Sequence, residues 1–236
     1  MHKLKDGSEV VIYRNGNHQY NYHGSKKKYA STTGVASHID TNSSGLIQWA
    51  VDLSLDSGDR KAHTKSAAES MEIGTALHAS IENYINDGTL DEADDVFILW
   101  LNQVGNHHIW EASEVMVINE ATGTGGTIDA LSFSDPDTLM VWDWKTKKKE
   151  SSYLNMKPIL KDHAQIANYT RAFSNMGSDY NVDQQTAKIA YLCLDTRKVY
   201  IETVDVSNAY ELFKQSSVIY HSTRAYKKGV KYGIEK

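Results

Sequence analysis

The chain has 236 residues, 40% of them apolar, with 25 Lys and Arg against 30 Asp and Glu and a formal net charge of -5. That length suits one domain with a single core and a flanking lobe, and the acidic balance argues against a nucleic-acid binder that works through overall positive charge. A single cysteine, Cys193, excludes an intramolecular disulfide framework, an all-cysteine zinc site and an iron–sulfur cluster held by four cysteines.

No apolar run approaches the length of a membrane-spanning helix, so none is expected, and the opening Met-His-Lys-Leu-Lys-Asp does not read as a signal peptide. Cys193 lies in an apolar, strand-like run and reads as a small core residue in a cytoplasmic protein.

Residues 9–30 predict a small hairpin with strands over 10–13 and 19–22 and the Asn15-Gly16 turn signal between them. Lys26, Lys27 and Lys28 lead into Ser31, Thr32 and Thr33, a stretch that reads as a polar loop capping the next helix. Ser44 is the expected cap of a helix to residue 55, and Ser57-Gly58 breaks it. A longer helix over 64–86 carries Ile73, Leu77 and Ile81 on its apolar face and ends at Asp87-Gly88. Gly74, His78 and Glu82 form the adjoining row at i+4 spacing, so His78 and Glu82 share a face beside the buried stripe. Alone, they read as a partly exposed helical pair. A helix over 91–104 follows, with Phe97, Trp100 and Leu101 in its apolar set, and then a strand over 115–118. The glycine-rich run at 121–126 is a turn rather than a phosphate-binding loop, because it opens a strand and lacks Gly-Lys-Ser/Thr.

The centre of the chain is a hairpin with strands over 128–133 and 139–144 and a turn at Pro136. Facing residues then sum to 272, which sets Asp129 opposite Asp143. Opposed carboxylates about 5 Å apart at Cβ repel unless a cation neutralises them, and Mg2+ prefers such hard oxygen ligands. Lys145 projects from the same face as Asp143, whereas Trp142 and Trp144 alternate away and read as core. The lysines Lys147, Lys148 and Lys149 stand at the mouth of this face. Residues 147–161 read as polar loop, and a helix then runs to 174 with Gln165 and Tyr169 one turn apart. Strands over 186–194 and 199–206 follow, then a helix capped by Ser207 and reaching about 226. The tail at 227–233 is assigned no element. The order implies an α/β (α+β) fold with one mixed sheet between helices, built as a single domain: residues 1–60 form the N-terminal hairpin and helix, and 61–236 the core.

The bare acidic-x-Lys pattern is weak, occurring at Asp59–Lys61 as well as Asp143–Lys145. Four elements in order are more specific: Gly74-x-x-x-His78-x-x-x-Glu82, Gly126-Thr-Ile-Asp129, Asp143-Trp-Lys145-Thr146 and Gln165-x-x-x-Tyr169. Together they resemble the RecB-like branch of the PD-(D/E)XK nuclease superfamily, most nearly the group of mitochondrial genome maintenance exonucleases and their phage-encoded relatives. The segment Lys-Tyr-Ala-Ser-Thr-Thr at 28–33 is loosely similar to that group's N-terminal pattern, with Ala30 in place of a proline.

The resemblance implies a restriction-endonuclease-like core and a Mg2+-dependent deoxyribonuclease, with Mn2+ as substitute and no iron–sulfur cluster. Metal ligands would be His78, Asp129, Asp143 and the Trp144 carbonyl, with Glu82 in support. Lys145 would orient water and offset charge, and Gln165 and Tyr169 would hold the substrate backbone and the lysine. Lys147, Lys148, Lys149 and Arg171 would contact DNA phosphates. The implied activity is exonucleolytic, from free ends of single-stranded DNA, in recombination, repair or degradation, within the cytoplasm (the host's, for a phage protein) and without a membrane partner. Alternatives on the same fold are a structure-selective or site-specific endonuclease and a catalytically silent nucleic-acid-binding module.

Overall fold

The protein is described by a computed structural model over residues 2–3, 9–39, 43–177 and 180–233. Its strands are β1 (His2–Lys3), β2 (Glu9–Val10), β3 (Ile12–Arg14), β4 (Tyr20–Tyr22), β5 (Ala30–Ser31), β6 (Trp110–Asn119), β7 (Thr124–Asp135), β8 (Thr138–Lys147), β9 (Asn181–Val182), β10 (Thr186–Cys193) and β11 (Lys198–Asp205). Its helices are α1 (Thr32–Ala36), α2 (Ser43–Ser57), α3 (Ala62–Asp87), α4 (Asp95–Gln103), α5 (Glu150–Met156), α6 (Leu160–Asn175) and α7 (Val206–Gly233).

The main sheet runs β6-β7-β8-β10-β11, with β5 added beside the start of β7 and β9 beside the start of β8. The β6/β7, β7/β8 and β10/β11 pairs are antiparallel and β8/β10 is parallel, so the sheet is mixed. A parallel neighbour cannot be reached by a tight turn, and α5 and α6 supply the crossover between β8 and β10.

Alternation along β8 divides the core in two. Leu139 and Val141 pack with Ile166, Tyr169 and Phe173 of α6 and with Val206 and Ala209 of α7. Trp142 and Trp144 point the other way, against Leu77 and Ile81 of α3 and Phe97 and Trp100 of α4. Helices therefore cover both faces of one mixed sheet, and the two tryptophans are core residues. Trp142 also donates its indole N–H to Ser132 Oγ at 2.8 Å. Cys193 is buried in the first cluster.

Several boundaries differ from expectation. Residues 150–156 form α5 rather than loop, because Tyr153 gives this polar segment a buried anchor. Its ring lies 4.7 Å from that of Tyr191 and 4.8 Å from that of Tyr200. α4 starts only at Asp95, since Asp94 caps it by accepting from the N–H groups of Val96 and Phe97. Asp205, not Ser207, caps α7 by accepting from the Asn208 N–H. The first hairpin turns through five residues, 15–19, with positive φ at His18 rather than Gly16. The tail at 227–233 continues α7. The side chains of Ser44, Lys228 and Lys231 and most of the N-terminal six residues lie outside the described residues. Among the described residues no helix is long and apolar enough to cross a membrane.

Candidate active site

The predicted hairpin register holds for Phe133↔Leu139 and Leu131↔Val141, but the last pair is Ala130↔Trp142. Asp129 and Asp143 are therefore not ladder partners. Asp143 is instead in register with Ile189 of β10. The start of β7 pairs with β6 on one edge, through Asn119↔Thr124 and Ile118↔Gly125. β5, which pairs with the same Thr124 and Gly125, must then occupy the edge that β8 has left. β7 and β8 part at the two aspartates, and the cleft opens in the fork. Parting relieves the repulsion of two directly opposed buried carboxylates. One tie remains across it: Asp129 Oδ2 accepts the main-chain N–H of Trp144 at 2.7 Å.

Elements on both sides of the sheet deliver side chains to this cleft of about 670 Å3. α3 contributes His78, β7 Asp129, β8 Asp143 and Lys145, and α6 Asp162, Gln165 and Tyr169. Lys145 Nζ stands 2.5 Å from Asp143 Oδ2, an otherwise buried oxygen with no aligned hydrogen bond. Gln165 Nε2 donates to Asp143 Oδ1 and to the Tyr169 hydroxyl, both at 3.2 Å. The glutamine thus grips the aspartate rather than the lysine.

Two acids in the cleft escaped the sequence reading. Asp162, in the first turn of α6, is buried and accepts from the Tyr191 hydroxyl at 3.2 Å. Glu114 lies in β6, between the pairs Ser113↔Ala130 and Val115↔Ile128, and so falls opposite Asp129. Its Oε1 is 3.7 Å from His78 Nδ1, and Asp129 Oδ1 is 3.6 Å from the same nitrogen. A signal for Glu114 existed: the strand pair around the 121–124 turn has a constant sum of its own, which matches Glu114 to Asp129. It needed a strand that starts before Val115.

Charge and burial compete throughout. Burial raises the Asp143 carboxyl above the usual range, against the pull of Lys145. Asp129 is also raised by burial, opposed by His78 and Lys145. For Lys145 burial works to lower the value, but Asp143, Asp162 and Asp129 outweigh it and hold the group above the ordinary lysine range. Without a bound cation, the surrounding carboxylates thus hold Lys145 as an ammonium. For His78 burial again works downward, and Asp129 and Glu114 overcome it, pushing the imidazole up to about 9.

His78, Glu114 and Asp129 each offer one ligand atom, all within 4.8 Å of one another. Donors about 2.1 Å from a shared ion are themselves roughly 3–4 Å apart. The 3.6 and 3.7 Å spacings fit that geometry, and one imidazole nitrogen with two carboxylate oxygens could hold a divalent cation. A metal ligand must be the neutral imidazole. His78 carries an ion-pair contribution to folding that is complete below its ordinary 6.5 and lost as pH rises through about 9. Metal affinity has the opposite slope, because each ion bound must displace that proton. Mn2+ affinity is expected to climb about tenfold per pH unit between pH 6.5 and 8.5. Calorimetric titration at three pH values checks this, and a flat profile rules out His78 as a ligand.

The other expected residues are placed as follows. Glu82, one turn beyond His78, does not line the cleft. Trp144 contributes its main chain to the fork and its indole to the core. Lys147 lies over the Tyr191 ring, 5.4 Å from its centroid, and burial lowers its pKa. Lys148 bonds to Ser66 and Glu69 of α3, fixing that helix beside β8. Lys149 is exposed before α5. Arg171 faces away, donating to Gln184 and Ser207, so the structure does not bring it to the cleft. At Gly74 an added Cβ would meet Thr146 Oγ1 at an ordinary 3.6 Å. Gly74→Ala is therefore expected to fold, with a gain of about 1 kcal/mol from helix propensity, readable by urea denaturation.

No protein-family model matches the chain, and no curated protein matches it in sequence. A solved structure described as the crystal structure of SSO0001 aligns with 72% of this chain and 70% of its own, at 15% identity and a TM-score of 0.40. An overlap that shallow carries no functional assignment.

Proposed function

We propose that this chain is a divalent-metal-dependent deoxyribonuclease with a PD-(D/E)XK-type core, acting as an exonuclease on free ends of single-stranded DNA. The observation that carries the reading is the fork between β7 and β8. It gathers Asp129, Asp143 and Lys145 from the strands, His78 and Glu114 from the flanks, and Gln165 from the opposite helix in one cleft. The motif order read from the sequence agrees with this grouping.

His78, Glu114 and Asp129 would hold the ion, with Asp143 and the Trp144 carbonyl within the same fork. An ion held there, Mg2+ or Mn2+, would supply positive charge near the scissile phosphate and lower the pKa of a bound water. Asp143 is kept in place by Gln165, which Tyr169 holds in turn. Lys145 places a positive charge beside Asp143, where it would offset charge building on the phosphoryl oxygens as the bond to the leaving 3′-oxygen breaks. Asp143, Asp162 and Asp129 together favour the charged form of that lysine against its burial.

The test is digestion of DNA labelled at either end, as single strands, duplexes and closed circles, with Mg2+ or with EDTA. Mononucleotide or short-oligonucleotide release from linear single strands, abolished by EDTA, is the expected result. Cutting of closed circles would replace the exonuclease reading with an endonuclease. No metal-dependent cleavage of any substrate would leave the binding-module alternative.

A further inference from the structure

The cleft has a second wall, made by the hairpin of β3 and β4, by the end of β5 and by the start of α1. Arg14, His18, Ser31 and Thr33 line it, in the same cavity as the carboxylates. The hairpin is anchored there. Tyr20 is buried against Gly125, where an added Cβ would come within 2.5 Å of Tyr20 Cβ. The Tyr20 hydroxyl is hydrogen-bonded with Thr127 Oγ1 at 3.2 Å. The loop is closed by Asn15, whose N–H donates to Gln19 O at 2.9 Å and whose Oδ1 accepts from the N–H groups of Asn17 and Gln19 at 3.0 Å.

Arg14 donates to His18 Nδ1. A guanidinium offers only donors, and the imidazole beside it adds a second polar group to this wall. Among the described residues no carboxylate is within ion-pair range of Arg14. The wall thus presents a guanidinium without an ion-pair partner among the described residues, an imidazole, the Ser31 hydroxyl and the Thr33 hydroxyl, which also hydrogen-bonds with Tyr169. Those are the donors that take phosphate oxygens.

We propose that Arg14 and His18, with Ser31 and Thr33, form a phosphate-binding subsite for the substrate strand, holding a phosphate next to the one cleaved. The proposal rests on the nuclease reading and adds to it a recognition element on the N-terminal hairpin. Because the contact is to a phosphate that does not react, it acts on binding. Arg14 is a positioning residue, and its loss raises KM while kcat stays near wild type.

The experiment measures Mg2+-dependent cleavage of single-stranded oligonucleotides carrying a 5′-phosphate or a 5′-hydroxyl, by wild type, Arg14→Ala and Arg14→Lys. Mn2+ titration of each variant reports on the intact fold and metal site. Arg14→Ala is expected to raise KM about tenfold, the loss of one charged hydrogen-bonding contact, and to reduce the salt slope of apparent affinity by about 0.7. Arg14→Lys is expected to restore the salt slope but only part of KM. A loss confined to the 5′-phosphorylated strand assigns the subsite to the terminal phosphate, and an equal loss on both assigns it to an internal one. If wild type cleaves and Arg14→Ala matches it in KM and salt slope, the subsite is wrong and the nuclease reading stands. If wild type cleaves neither strand, both fall.

Discussion

Lys145→Ala is expected to slow metal-dependent phosphodiester cleavage by about 100- to 1,000-fold, the range for removing one preorganised donor of positive charge from an active site. Substrate binding should change far less, because the ammonium is committed to Asp143, at 2.5 Å, rather than displayed at the mouth of the cleft. The same variant should be less stable. Removing one partner of a buried ion pair typically costs about 3–5 kcal/mol, since the other charge is left without compensation. Here a proton can neutralise what remains, because burial already raises Asp143. Without Lys145 that carboxyl rises further. An acid whose folded value lies above its unfolded 3.8 destabilises the fold progressively as pH rises from 3.8 towards the folded value. The deficit against wild type should therefore be small near pH 5 and larger at pH 8, as read by urea denaturation in EDTA. Lys145→Met, which keeps the aliphatic stem, separates lost packing from lost charge. Cleavage by Lys145→Ala at the wild-type rate would contradict the catalytic role given to this residue.

Gly126→Ala is expected to damage both stability and activity, in contrast to Gly74→Ala. A Cβ at Gly126 would lie 2.1 Å from Cε1 and 2.8 Å from Cζ of Tyr169. The strand cannot yield easily, because Gly126 is paired with Val117 across β6. The ring must move, yet it is buried and its hydroxyl accepts from Gln165. Overpacking of this kind costs about 1–3 kcal/mol. Displacing Tyr169 also loosens Gln165, and through it the Asp143 oxygen that Gln165 holds at 3.2 Å. A fall in kcat of about tenfold or more should accompany the lower denaturation midpoint, since misplacing a reacting group by about 1 Å costs up to 100-fold. Tyr169→Phe in the Gly126→Ala background tests the route. It removes the hydroxyl but not the ring clash, so it should leave the stability loss in place. A fully stable Gly126→Ala protein would show that the ring has free space elsewhere.

Gly74 and Gly126 occupy equivalent places as small residues flanking site residues, yet they differ physically. Gly126 is glycine because a tyrosine ring lies on it, whereas Gly74 has room for a methyl group. Spacing in the sequence reveals the first type and the second equally.

Much of the architecture was legible in the chain itself. The period-two alternation of 139–145 separated Leu139, Val141, Asp143 and Lys145 from Trp142 and Trp144, and both sets lie where alternation places them. The i+4 rows on α3 and α6 brought His78, Gln165 and Tyr169 to the cleft. Periodicity carries such information because strand and helix geometry turn sequence spacing into direction without help from the rest of the fold. The tertiary structure alone decided what lies between elements. The parting of β7 from β8 depends on β5 arriving about 95 residues earlier in the chain to claim the vacated edge. Glu114 and Asp162 entered the cleft because strand pairing and helix docking delivered them, not because a motif marked them. Arg14 and His18 reached it because Tyr20 packs on Gly125. Arg171 was excluded because it points from the back of α6 toward Ser207. Local spacing determines which way a side chain points from its own element; which other elements it meets depends on long-range pairing and burial.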